Sequence, residues 1–246
     1  MARLRAAGCV FAEDEARLLI EAGGDLSALV ARRIAGEPLE VLLGWAEFAG
    51  RRVAVDAGVF VPRRRSELLV ALASSRLASG GVVVELCCGT AAVATVLAGA
   101  GVEAHAADID PAAVGCARRN LDGRGTVYRG DLYEALPSSL RGRVDVLIAN
   151  APYVPTSAIA LMPPEARLHE PRQALDGGPD GLDVQRRVAA AAPAWLAEGG
   201  ALLIETSVEQ APATVALMTA VGLAAQVHRD EDLDATAVLG ELRARA

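Results

Sequence analysis

Apolar residues recur along this chain in two rhythms, and the change from one to the other divides it. Between residues 12 and 35, Ala16, Leu18, Leu19 and Ile20, then Leu26, Leu29, Val30 and Ile34, fall at helical spacing on either side of Gly23-Gly24. That spacing predicts two short helices. Residues 44–50 and 52–56 alternate apolar and polar positions about a glycine, the pattern of a small β-hairpin, and lead into Val59-Phe60-Val61-Pro62-Arg63. From Gly80 onward short apolar runs alternate with helical stretches. The runs at 82–86, 102–107, 126–129, 144–149, 201–205, 224–228 and 238–242 are the predicted strands. Strands that alternate with helices in this way imply a mainly parallel, doubly wound α/β sheet. Between the fourth and fifth strands, residues 155–183 carry Pro163-Pro164, Pro171, Gly177-Gly178 and Pro179. A connection of that length is predicted to be a functional loop.

Polar residues stand where the predicted strands end, the edge at which open α/β sheets bind ligands. The first strand runs into Glu85-Leu86-Cys87-Cys88-Gly89-Thr90-Ala91-Ala92, a turn of small residues that lets backbone approach a ligand, with Glu85 placed to meet an ammonium group. The second ends in Asp108-Ile109-Asp110. An acid there holds a ribose diol by accepting both hydroxyl protons. Asp108 is the better candidate, because Asp110 before Pro111 reads as the start of a helix. After the third strand, Asp131 in Gly130-Asp131-Leu132 either accepts from an exocyclic amine or caps a loop. The fourth strand ends in Asn150-Ala151-Pro152-Tyr153. Asn both accepts and donates hydrogen bonds, so this tetrapeptide reads either as a site that grips a planar NH2 group or as a simple turn.

Three strand-end acids followed by this tetrapeptide resemble the class I S-adenosylmethionine-dependent methyltransferases. More narrowly, the chain resembles the HemK/PrmC protein-(glutamine-N5) methyltransferases, which modify the Gly-Gly-Gln glutamine of class I peptide-chain release factors. The likeness extends over nearly everything after residue 36. Glu37-Pro38 with Leu43-Gly44 and Phe48 matches the family's hairpin entry. Val61-Pro62-Arg63-Arg64-Arg65-Ser66-Glu67 matches its Pro-Arg-x-x-Thr-Glu segment, with serine for threonine. His169-Glu170-Pro171-Arg172-Gln173-Ala174-Leu175-Asp176-Gly177-Gly178, followed by Asp180-Gly181-Leu182-Asp183, matches its Glu-Pro-x-x-Ala-Leu-x-Gly-Gly-x-Asp-Gly-Leu segment.

The resemblance implies a Rossmann-like, mainly parallel seven-stranded sheet over residues 80–246, a hairpin and connecting helix over 37–79, and a short N-terminal helical segment over 1–36. That last segment replaces the family's longer substrate-recognition domain. It also implies S-adenosylmethionine as cofactor, held by Glu85, Cys87 and Gly89 around its methionine part, Asp108 and Ile109 at the ribose, and Asp131 and Leu132 at the adenine. Asn150 borders both cofactor and substrate. Asn150 and the Ala151 carbonyl would accept the protons of the target amide, with Pro152 and Tyr153 completing the wall. The family's Asn-Pro-Pro-Tyr has Ala151 in its second place here, and Cys87 and Ala91 replace two of three first-turn glycines.

Composition narrows the picture further. All 24 basic residues are arginine, and the formal net charge is -7. An acidic balance argues against a general polyanion-binding surface. Arg63-Arg64-Arg65 and Arg118-Arg119 are the candidates for a local basic patch, read first as solvated faces. Cysteines 9, 87, 88 and 116 lack zinc-site spacing, so no metal is expected. No signal segment or run of roughly 20 apolar residues is present, and the expected place is the cytoplasm. The partner implied by the resemblance is a release factor. A nucleic-acid methyltransferase acting on adenine N6 or guanine N2 needs a similar amine clamp. That reading stays open here, as does a cofactor-binding relative without activity.

Overall fold

The computed structural model describes residues 1–99 and 101–243. Helices α1 (Ala2–Ala6), α2 (Ala12–Ala22), α3 (Leu26–Ile34) and α4 (Leu39–Leu43) form an N-terminal helical unit. The two helices expected from spacing are α2 and α3, and Asp25 caps the latter by accepting from the Ser27 and Ala28 N–H groups at 2.9 and 3.1 Å. Helices α1 and α4 have only five residues each, too few for a hydrophobic period to register. The unit has its own small core of Leu4, Ala12, Leu19, Val30 and Leu42.

The predicted hairpin forms from β1 (Trp45–Phe48) and β2 (Arg51–Ala54), followed by α5 (Glu67–Ser74). Then come β3 (Val82–Leu86), α6 (Ala92–Leu97), β4 (Glu103–Asp108), α7 (Pro111–Leu121), β5 (Gly125–Arg129), β6 (Val144–Ala149), α8 (Pro164–His169), α9 (Asp183–Ala191), β7 (Leu196–Glu205), α10 (Ala211–Ala220), β8 (Leu223–Asp230) and β9 (Ala235–Leu242). Strands β3 to β9 make one seven-stranded sheet in the order β5-β4-β3-β6-β7-β9-β8. Five strands run parallel, and β9 pairs antiparallel with both β7 and β8. This is the expected doubly wound sheet. The central run of β3 is buried along its whole length because helices cover both faces. One face packs Val83, Val93, Val114, Ile148 and Leu203 under α5, α6 and α7. The other packs Leu86, Leu147, Trp195, Leu202 and Met218 under α9 and α10.

From β3 the chain steps outward to β4 and β5, then returns to the opposite flank with β6. Strands β3 and β6 therefore border the crevice where the connection order reverses, the place such sheets use for ligands. The 155–183 stretch crosses above it. It is not one irregular loop as expected: it carries α8 and two short 3-10 turns, Thr156–Leu161 and Arg172–Ala174. Among the described residues no helix is long and apolar enough to cross a membrane.

Arg33 joins the N-terminal unit to this crossing. Its guanidinium donates to the buried Glu15 at 2.8 Å, to the Glu37 carbonyl at 3.1 Å and to Glu165 of α8 at 3.4 Å. Removing the cation would strand the Glu15 carboxylate in a largely desolvated place. Arg33→Ala is expected to destabilise the protein by about 3 kcal/mol, the usual scale for breaking a buried pair. Urea unfolding followed by circular dichroism checks it, and a change under 1 kcal/mol would contradict the pairing argument.

Candidate active site

A cleft of about 1080 Å³, its open mouth included, lies along the carboxyl edge of β3, β4 and β6. Its lining brings together Glu85, Cys87, Gly89, Asp108, Ile109, Asn150, Ala151, Pro152 and Tyr153. Of the eleven residues expected at the cofactor or the amide, nine face this one space.

Glu85 ends a fully buried strand, and its Oε2 accepts from the Ala94 N–H at 2.6 Å. Burial pushes its carboxyl up to about 8, more than two opposing backbone N–H groups from α6 offset. Asp108 accepts from the Gly89 N–H at 2.8 Å and the Asp110 N–H at 2.9 Å, and burial raises it as well. Asp110, also at the cleft lining, caps α7 through the Ala112 N–H at 2.8 Å, as its position before Pro111 predicted. The turn after β3 places Cys87, Gly89 and Ala91 at φ 52°, 53° and 55°. Only glycine adopts that region freely, so Cys87 and Ala91 hold strained backbone where the resembled family has glycine. Cys87 is half-buried, and burial raises its thiol, which keeps it in the unreactive form.

Asp131 and Leu132 do not line the cleft. Asp131 accepts from Arg187 at 2.8 Å on a half-exposed surface beyond Cys87, while Leu132 is buried with φ 48°. The Arg63-Arg64-Arg65 run is neither a patch nor a solvated face. Arg63 donates to the buried Glu170 and lies over the Phe60 ring, and Arg65 donates to the buried Glu205 at 3.1 Å. Only Arg64 points outward. Among the described residues no cluster of His, Cys, Asp or Glu could hold a metal ion.

Several residues of the site carried no expected role. Asn150 donates from Nδ2 to Ser66 Oγ at 3.1 Å, and Ser66 donates to Glu205 Oε2 at 2.6 Å. Arg65 also lies over Tyr153, 6.0 Å from the ring centre. Burial raises both the Tyr153 hydroxyl and the Glu205 carboxyl, while Ser66 and Arg65 pull the latter back down. The sequence signal for Glu205 was available: it is an acid ending an apolar strand, like Asp108.

The Gly-Gly segment after α8 clamps the backbone of the tetrapeptide. The Gly177 N–H donates to the Val154 carbonyl and Thr156 N–H to the Gly178 carbonyl, both at 2.9 Å. Gln210 Nε2 reaches the Tyr153 carbonyl at 2.9 Å and the Asp180 carbonyl at 3.1 Å. A Cβ on Gly177 would stand 2.6 Å from the carbonyl oxygens of both Pro152 and Gly181. No room exists there for any side chain. Gly177→Ala is expected to cost about 1–3 kcal/mol of stability by overpacking, read from urea midpoints. An unchanged midpoint would show that the two backbones are not held this close.

The sequence profile of the methyltransferase small domain family matches residues 51–180. The release factor glutamine methyltransferase of Geobacter sulfurreducens is 36% identical over 199 residues, covering 79% of this chain and 69% of that protein. That of Cereibacter sphaeroides is 36% identical over 221 residues, covering 87% and 77%. Among solved structures, the T. thermophilus 16S rRNA N2 G1207 methyltransferase, in complex with AdoMet and guanosine, superposes with a TM-score of 0.59 at 20% identity. It covers 81% of this chain and 50% of that one, and the likeness speaks for the fold alone. A cleft edged by strand-end acids on this sheet fits S-adenosylmethionine, and the chain belongs to the release factor glutamine methyltransferase family of S-adenosylmethionine-dependent enzymes.

Proposed function

We propose that this chain transfers a methyl group to the side-chain amide nitrogen of a protein glutamine, the one in the Gly-Gly-Gln loop of a class I peptide-chain release factor. One observation carries the reading: a single cleft holds both the acids suited to S-adenosylmethionine and, on β6, an amide acceptor pair. The names of the relatives support it. A cytoplasmic location accompanies such a partner.

When bound, S-adenosylmethionine supplies an electrophilic methyl on a sulfonium. Glu85 would hold its ammonium, Asp108 its ribose diol, and Ile109, 46% exposed at the cleft, would cover an apolar face. Asp131 and Leu132 border the adenine in this reading only from beyond the present lining. Asn150 Oδ1 and the Ala151 carbonyl accept the two target N–H protons, and Tyr153, fixed under Arg65, forms the wall. An amide nitrogen is a weak nucleophile because its lone pair is delocalised. Gripping both protons turns the nitrogen and holds it in line with the methyl, which is catalysis by orientation. Two acceptors also meet the positive charge that develops on nitrogen as the sulfonium–methyl bond breaks, and loss of one N–H proton to solvent leaves the neutral N-methyl amide and the thioether.

Two outcomes follow. Asn150→Ala is expected to lower turnover on a release factor by roughly a hundredfold, in the range for losing one positioned polar group, with cofactor affinity nearly intact. Labelled S-adenosylmethionine offered with a release factor or with nucleic acid reads the transfer, and label on nucleic acid alone would sink the glutamine reading.

The second concerns Glu85, which keeps its proton at pH 7 in the free protein because burial holds its carboxyl at about 8. An ammonium against it favours the ionised form, so binding expels that proton. S-adenosylmethionine affinity is therefore expected to rise with pH toward 8. Calorimetric enthalpies at pH 7 should differ between buffers of different ionisation enthalpy, and Glu85→Gln should remove the difference. Equal enthalpies in the native protein would refute Glu85 as the ammonium ligand.

A further inference from the structure

We propose that Ser66 and Glu205 are positioning residues that dictate which end of the Asn150 amide faces the cleft; the inference rests on the amide-gripping role given to Asn150 above. An asparagine side chain presents an oxygen or an NH2 group in nearly the same shape, and its neighbours decide which. Here the decision propagates through a chain of three groups. Glu205 ends β7 with its side chain 2% exposed, and as a carboxylate it only accepts. Arg65 Nε occupies its Oε1 at 3.1 Å. Its Oε2 takes the Ser66 hydroxyl proton across 2.6 Å, the short distance of a charge-assisted O–H···O bond.

Ser66 has one proton and has given it to Glu205. It therefore offers Asn150 only a lone pair, and the Asn150 atom 3.1 Å away must be the NH2. The Asn150 oxygen is left for the cleft, as an acceptor. Ser66 itself is 5% exposed, so no water competes for the hydroxyl.

The same count predicts what reversal would look like. In Glu205→Gln, Arg65 claims the amide oxygen, and the glutamine NH2 then faces Ser66. The serine proton is turned toward Asn150, whose oxygen swings to meet it, and the cleft receives an NH2 where an acceptor is required. A volume-conserving change thereby inverts the polarity of the site.

The test uses the full chain with S-adenosylmethionine and a release factor, alongside the asparagine side-chain 1H–15N resonances of the protein without substrate. Ser66→Ala and Glu205→Gln are each expected to lower kcat roughly tenfold to a hundredfold, the scale of a misoriented reacting group, with KM and cofactor Kd within about twofold. Ser66→Thr, which keeps the hydroxyl, should restore most of kcat. The Asn150 side-chain resonance, identified by its loss in Asn150→Ala, should shift in Ser66→Ala and not in Ser66→Thr. Native kcat in Ser66→Ala, or equal losses in the alanine and threonine variants, would overturn the proposal. A loss confined to cofactor Kd would do the same. The resonance arm needs no substrate. If it behaves as expected while no release factor is methylated, the glutamine reading has failed and the orientation of Asn150 stands.

Discussion

Three carboxyl groups, those of Glu85, Glu170 and Glu205, are buried around the carboxyl edge of this sheet and a fourth, that of Asp108, is half-buried there, and a buried carboxylate is tolerable only when donors replace the water it has lost. Each of the four finds at least one donor on another segment of the chain. Glu85 takes an N–H of α6, Asp108 an N–H of the β3 turn, Glu170 the guanidinium of Arg63, and Glu205 the side chains of Ser66 and Arg65. The segment from Val61 to Ser66 is thus tied to the sheet at Glu205 and to the crossing at Glu170, and it closes the cleft between them. Burial still raises all four carboxyls, so their donors only partly compensate. Glu170 shows the residue of that deficit, since its Oε2 has no partner among the described residues while its Oε1 also faces the Val61 N–H at 3.4 Å.

The sheet was legible because its strands are buried on both faces and so read as unbroken apolar runs. Predicted bounds at β3 and β6 agree with the structure residue for residue. The strand-end acids were legible for a related reason: a charge at the close of an apolar run has no packing role. Ser66 was not, because nothing local distinguishes a serine that begins α5 from one that holds Asn150, 84 residues away. The link depends on register. Ile204 pairs with Ala149 across β6 and β7, so the next residues along, Glu205 and Asn150, emerge side by side. Sequence alone does not fix which strands are neighbours, and without that the pairing is invisible. Asp131 is a different case. It has the composition of a ligand and follows β5 at the edge of the sheet, but Arg187 takes its carboxylate outside the cleft lining.

The N-terminal unit and the crossing were read least well, for a common reason. The elements missed there, α1, α4, α8 and the two 3-10 turns, are three to six residues long, too short for a period of their own to register, and their surroundings are tied together by partners distant in sequence. Arg33 binds Glu15 eighteen residues before it and Glu165 far beyond it. The glycines of the crossing are a different case. Gly177 is needed for close approach to the Pro152 carbonyl, whereas Gly181, at φ 79°, is needed for its backbone conformation and for the space beside Tyr153 as well. Both keep the carbonyls of the tetrapeptide where a side chain would displace them.

That fixed backbone bears on selectivity within the proposed function. A glutamine amide carries two protons on one planar nitrogen, and the Ala151 carbonyl and an outward Asn150 oxygen offer one acceptor to each. A glutamate side chain of the same length brings no proton when ionised and one when neutral. It would leave at least one buried acceptor unpaired and set oxygen against oxygen. Unpaired buried polar groups are how a site rejects an isostere that lacks the matching proton, often by several orders of magnitude. The discrimination needs no extra contact at the mouth of the cleft. It depends on Asn150 never offering its NH2 in place of its oxygen, and among the described residues the groups that bind the far end of that amide are Ser66 and, through it, Glu205.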